Sequence, residues 1–145
     1  MNDTEVFFDT NIIAYAFDEF DINKKKICEE LVDKAFKGEI KGVVSNQVLS
    51  ELFTVLTQKM GKHASKKTAA IIVESLIDSE KWVKINYEHT TVKKSLAQAK
   101  TINVSFWDIL ISETMKENGI NKIYTEDEEH FKKISGIKAI NPLKP

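Results

Sequence analysis

At 145 residues the chain has the length of one compact domain, 1–145, with a single core. Its 42% hydrophobic and 30% charged content is that of a soluble globular protein, and a net charge of −1 lacks the basic excess usual in nucleic-acid-binding domains. One cysteine, no N-terminal secretory pattern and no apolar run of roughly 18 residues argue against a disulfide framework, export and membrane insertion, and predict a cytoplasmic protein.

Glu5–Phe8 reads as a first strand, followed by a turn and an apolar segment at residues 12–17. Residues 23–36 have helical spacing, with Ile27, Leu31, Val32 and Ala35 on one stripe and lysines opposite. A short buried strand is expected at residues 42–44. Ser45 then caps a helix running to about Met60, where Gly61 stops it. Ser65 opens the next helix, with Ala69, Ile72, Val73, Leu76 and Ile77 facing inward. Residues 82–85 form a third strand. Residues 89–100 and 105–117 form two more helices, the second closed by Asn118-Gly119. Strands at residues 122–124 and 138–140, with a short helix between, complete the chain. Five short strands alternating with helices predict an α/β fold, a parallel sheet between helical layers.

Four acidic residues stand out against this pattern. Asp9 closes the apolar run of the first strand, and Asp127 follows Ile123-Tyr124 by two residues. Both fall where open α/β sheets place their ligand crevices. Glu51 and Asp108 sit among apolar residues on helices, where an unpaired carboxylate is costly to bury. If the four converge, raised pKa values or a bound cation must relieve their repulsion. An acidic pocket that needs a divalent metal points to phosphodiester cleavage.

Each residue also has a plainer reading. Asp9 can cap the following helix through the Asn11 or Ile12 amide, whereas as a metal ligand at the crevice it has Thr10 and Asn11 fixing its loop. Glu51 can be a helix-edge residue reaching solvent. Ser105 with Asp108, and Thr125 with Glu128, both match the capping-box pattern. Trp107, Leu110 and Ile111 are expected to lock the Asp108 helix onto the core. Spacing alone leaves Glu126 and Asp127 equally eligible as a ligand. The three histidines and single cysteine show no zinc spacing, and no phosphate-binding glycine loop occurs. Lysines cluster at residues 24–26 and at Lys59, Lys62, Lys66 and Lys67, as a solvated face or as phosphate contacts. Of Tyr15, Phe17, Phe20 and Trp107, most read as core aromatics.

The stretches FFDTNIIAYAFD, SNQVLSELFTVL and SFWDILISETMKENGINKIYTEDEEHFKKISGIKAINP together resemble the PIN-domain family, and within it the VapC-type toxin ribonucleases. The resemblance implies a small α/β/α sandwich with about five parallel strands. It places the family's metal-binding carboxylates on Asp9, Glu51, Asp108 and Asp127, resolving the choice between Glu126 and Asp127. Thr125 matches the family's hydroxyl two residues before the last aspartate, and Asn11 its loop-holding asparagine. The implied activity is Mg²⁺- or Mn²⁺-dependent endoribonuclease cleavage, with an antitoxin as inhibitory partner and a homodimer as a common assembly. A PIN-like module that binds RNA or protein without catalysis is the competing reading. Two features depart from the family: an unusually acidic run after Asp127, and no recognisable motif at residues 61–88.

Overall fold

The structure is a computed structural model and describes residues 5–145, so the first four residues of the expected domain span lie outside it. Five strands, β1 (Glu5–Phe8), β2 (Lys41–Ser45), β3 (Val83–Ile85), β4 (Lys122–Tyr124) and β5 (Lys138–Ile140), form one sheet in the order β3-β2-β1-β4-β5. Every pairing is parallel, with Phe7 opposite Val43 on one side and Ile123 on the other. A sheet covered on both faces needs strands apolar throughout. In β1, Val6, Phe7 and Phe8 are all buried, as are Val43 and Val44 in β2.

The helices fall into two packed groups. Helix α1 (Thr10–Tyr15) packs against both α2 (Ile22–Lys37) and α3 (Asn46–Thr54), and α3 packs against α4 (Lys66–Asp78). Helix α5 (His89–Ala99) pairs with α6 (Phe106–Glu117), which touches the short α7 (Glu128–Phe131). The result is the expected α/β/α sandwich. No helix among the described residues is long and apolar enough to cross a membrane.

Several helix starts follow the sequence signals. Ser45 caps α3 through the Val48 amide, and Ser65 caps α4 through the Thr68 amide. The two expected capping boxes do not form. Ser105 precedes α6 but offers it no side-chain bond, and Asp127 stands at the N-cap of α7, leaving the Thr125 hydroxyl for other partners. The helix expected to run unbroken to Met60 leaves the α pattern at Thr54 and continues as a π-helical turn, Val55–Lys59. Ile27 and Ile77, expected on buried stripes, are 38% and 48% exposed. Cys28, Val32 and Ala35 carry the inner face of α2, and Ala69 and Leu76 that of α4.

Behind the sheet, Trp82 packs edge-on against Phe8 and Phe36 at ring separations of 4.8 and 5.7 Å. Gly42 makes room for it: a Cβ there would lie 2.7 Å from the indole and 2.8 Å from the Ala35 Cβ. The same contact fastens α2 to β2 and β3. Gly42→Ala is therefore expected to destabilise the fold by about 1–3 kcal/mol, the usual cost of overpacking a filled core. A urea-denaturation midpoint equal to that of the parent would contradict this.

Candidate active site

The strand order reverses beside β1: the chain builds outward to β2 and β3, then returns to lay β4 on the other side of β1. Crevices open at such switch points, beyond the carboxyl ends of the strands. Asp9, just after β1, and Thr125, just after β4, meet there. The Thr125 hydroxyl donates to Asp9 Oδ2 at 2.8 Å and accepts from the Asp127 amide at 3.0 Å. Asp9 Oδ1 accepts from the Thr10 amide at 2.8 Å. Asp9 is thus the N-cap of α1, through Thr10 in place of the expected Asn11 or Ile12. Asn11 lines the cleft without a side-chain bond to protein among the described residues, so the loop is held by Thr10 and Thr125.

All four singled-out carboxylates, Asp9, Glu51, Asp108 and Asp127, line one cleft of about 260 Å³, with Thr10, Gln47 and Trp107 in its walls. Glu51 comes from α3 in one helical layer, Asp108 from the first turn of α6 in the other. The loops at the carboxyl ends of β1 and β4 supply Asp9 and Asp127. Gln47, one helical turn before Glu51, donates to its Oε1 at 2.8 Å. His130, which no spacing rule picked out, lies with Nδ1 3.2 Å from Asp108 Oδ2. The buried Thr10 hydroxyl oxygen has no protein partner. The carboxylates face one another without forming a closed ligand shell. Among the described residues, no three His, Cys, Asp or Glu side chains stand close enough to share one ion.

The acidic run after β4 is sorted by its partners. Glu126 accepts from the Tyr15 hydroxyl at 2.6 Å and pairs with Lys24 at 3.4 Å, which turns it toward α1 and α2. Glu128 pairs with Lys144 and Glu129 with Lys132, each at 3.2 Å. Only Asp127 of the run enters the cleft. This also answers the departure from the family noted above: the extra acids are neutralised elsewhere.

The π turn matters to the remaining wall. A straight α-helix would carry Lys59 about 80° around from Glu51. The wider π turn takes most of that rotation back, and Glu51, Val55 and Lys59 line the cleft together. Lys62 and Lys66, the other lysines offered as phosphate contacts, are exposed but do not line it. Trp107 is not a core anchor. It is 57% exposed, as Phe20 is at 73% and Phe17 at 36%.

Burial pushes the Asp9 carboxyl up to about 6 despite the hydrogen bonds from Thr125 and Thr10, and Asp108 and Asp127 push it the same way. Burial also raises Asp108; His130 opposes the shift, while Asp127 and Glu51 add to it. The cleft is therefore short of positive charge.

Residues 6–137 match the family profile described as PIN domain. The chain belongs to the PIN-domain family. No curated protein sequence matches it. Among solved structures, this PIN domain is similar to VapC20 of Mycobacterium tuberculosis, a sarcin–ricin-loop-cleaving toxin. The TM-score is 0.72 at 19% identity, over 94% of this chain and 99% of that one. It is also similar to FitAcB of Neisseria gonorrhoeae, with TM-score 0.65 and 16% identity over 97% and 99% of the two chains. A third relative in fold is VapBC2 of Rickettsia felis bound to a promoter DNA fragment, with TM-score 0.64 and 17% identity over 94% and 98%. At these identities the likeness is one of fold.

Asp9 carries a pH signature. Its proton is held more tightly in the folded state, at about 6, than at the ordinary value of 3.8. The associated stability is fully present below about pH 4 and is lost as pH rises through about 6, a difference on the order of 3 kcal/mol. Without divalent cations, the urea midpoint should fall across that window, and Asp9→Asn should flatten the fall. An identical pH profile for parent and variant would rule out the coupling.

Proposed function

We propose that this PIN domain is a Mg²⁺- or Mn²⁺-dependent endoribonuclease and the toxin of a toxin–antitoxin pair. The observation that carries the proposal is the Asp9 carboxylate. It is fixed by two hydrogen bonds at the switch point of the sheet and faces Asp108 and Asp127 in a cleft that Glu51 also lines. Support for the toxin reading comes from the neighbours in fold, which include a sarcin–ricin-loop-cleaving toxin and a toxin–antitoxin complex from Klebsiella pneumoniae.

The donor set fits a hard divalent cation. Every candidate ligand is a carboxylate oxygen, the unpartnered Thr10 hydroxyl adds another oxygen, and neither sulfur nor histidine spacing favours zinc. Asp9, Asp108 and Glu51 would hold the ion, and Asp127 would hold a second ion or orient the attacking water. Glu51 and Asp127 are exposed, so both have the rotamer freedom to swing inward. A bound divalent ion supplies a lowered pKa for water and charge neutralisation at the scissile phosphate.

The protein's own groups do the rest. Thr125 and the Thr10 amide keep Asp9 aimed into the cleft, and His130 orients Asp108. Lys59 offers a cation to a flanking phosphate, which the net acidity of the cleft would otherwise repel. With water as the nucleophile the RNA 2′-hydroxyl takes no part in the chemistry, and the products carry a 5′-phosphate and a 3′-hydroxyl. An antitoxin would silence such a site by covering the cleft and placing an arginine or lysine among the carboxylates.

Incubation of total RNA with the purified protein should give discrete cuts with Mg²⁺ or Mn²⁺ and none with EDTA. Asp9→Asn and Asp108→Asn should each lower the rate by at least about a hundredfold, more than is typical for an outer-shell partner. Cleavage that persists in both variants would remove these residues from the mechanism. Metal binding without cleavage would leave a selective toxin lacking its proper substrate, and no metal binding at all would favour a non-catalytic module. Lys59→Ala should weaken RNA binding and reduce the salt slope by about 0.7, as for one phosphate contact on a single strand. Lys62→Ala and Lys66→Ala should leave that slope unchanged.

A further inference from the structure

The acidic cleft adjoins a larger cavity of about 530 Å³, within the range of small-ligand sites. Gln47, Glu51 and Trp107 belong to both, so the two spaces share a wall. Beyond that wall the lining turns neutral, with Asn46, Asn86 and Tyr87. Lys59 lines the acidic cleft but not this cavity.

We infer that this cavity is a nucleobase subsite, in which an unpaired RNA base next to the scissile phosphate stacks on Trp107 and is read by the Asn46 and Asn86 carboxamides. The inference rests on the ribonuclease reading and names the pocket in which that site would hold a base.

Three observations converge on a base. First, Trp107 leaves 57% of its surface in solvent while Ile109–Met115 of the same helix are buried. Its neighbour Phe106 meets it only edge-on, at 5.9 Å. A large indole held open beside Asp108 offers a stacking face within reach of the reacting phosphate. Second, among the described residues the Asn46 and Asn86 carboxamides bond to no protein group, so each keeps two donors and an acceptor for a guest. Third, the lining has no lysine or arginine and contains one carboxylate. A phosphate would be repelled there, whereas a flat neutral heterocycle with donor and acceptor edges suits an aromatic wall with amides. This is how proteins read splayed-out RNA bases. An antitoxin side chain is the rival occupant. A basic one would be drawn to Glu51 alone, leaving the amides unused, and an apolar one would strip water from them.

The test uses the two tryptophans. Trp82 is 2% exposed and Trp107 57%, so acrylamide quenching reports on Trp107. In the Asp9→Asn background, which prevents turnover, short single-stranded RNA should quench Trp107 fluorescence and shield it from acrylamide. An RNA with abasic positions should bind without doing either. Trp107→Ala should weaken binding of the base-containing RNA about tenfold, and Trp107→Phe should recover most of the loss. Asn86→Ala should change the ranking of oligonucleotides that differ in base. If RNA binds while Trp107 stays open to acrylamide and Trp107→Ala binds equally well, the subsite is refuted and the nuclease reading stands. Shielding of Trp107 only by a protein partner refutes it in favour of a docking pocket. Failure of every variant and the parent to bind RNA overturns both readings.

Discussion

One hydroxyl group holds the site together. Thr125 donates to Asp9 and accepts from the Asp127 amide, so it links the ends of the two strands that flank the switch point. Because the hydroxyl can do both at once, it also fixes where Asp9 aims and where the chain turns after β4. The Asp9 amide adds a second tie, bonding the Tyr124 carbonyl at 3.0 Å. Glu126 then anchors the same loop to Tyr15 and Lys24.

The site works against the stability of the protein that carries it. Three facing carboxylates in a partly desolvated cleft raise the free energy of the ionised form, and the fold retains them by fastening Asp9 with neutral donors. Elsewhere the chain pairs its acids: Glu117 with Lys94, Glu128 with Lys144, Glu129 with Lys132. Pairs with exposed lysines add little stability, yet they offset the negative charge beside the cleft. A net charge near zero thus conceals one cleft in which carboxylates outnumber cations.

Much of this arrangement was legible in the chain. β1, β4 and β5 have the bounds their apolar runs predict, and the strand-end positions of Asp9 and Asp127 follow from them. What escaped depends on distant partners. Nothing local separates Glu126 from Asp127, because the difference lies in Tyr15, 111 residues earlier. His130 meets Asp108 across 22 residues without any motif. The π turn has no sequence signature, since any helical run of apolar and polar residues can widen by one residue. Trp107 misled because periodicity cannot distinguish an aromatic packed inward from one left open beside a cleft. Ile27 and Ile77 misled for the same reason.

The placement of β1 at the centre of the sheet also sets a clock. Asp9 and Glu51 are synthesised early, but the bond that aims Asp9 spans 116 residues and waits for Thr125. Until β4 emerges from the ribosome, β1 is paired on one side only, and contacts of such long sequence separation form late. The four-carboxylate arrangement therefore closes only once β4 and the loop after it are in place. A growing polypeptide stopped short of β4 would already carry Asp9, Glu51 and Asp108 but lack both Thr125 and Asp127, and so could not assemble the cleft.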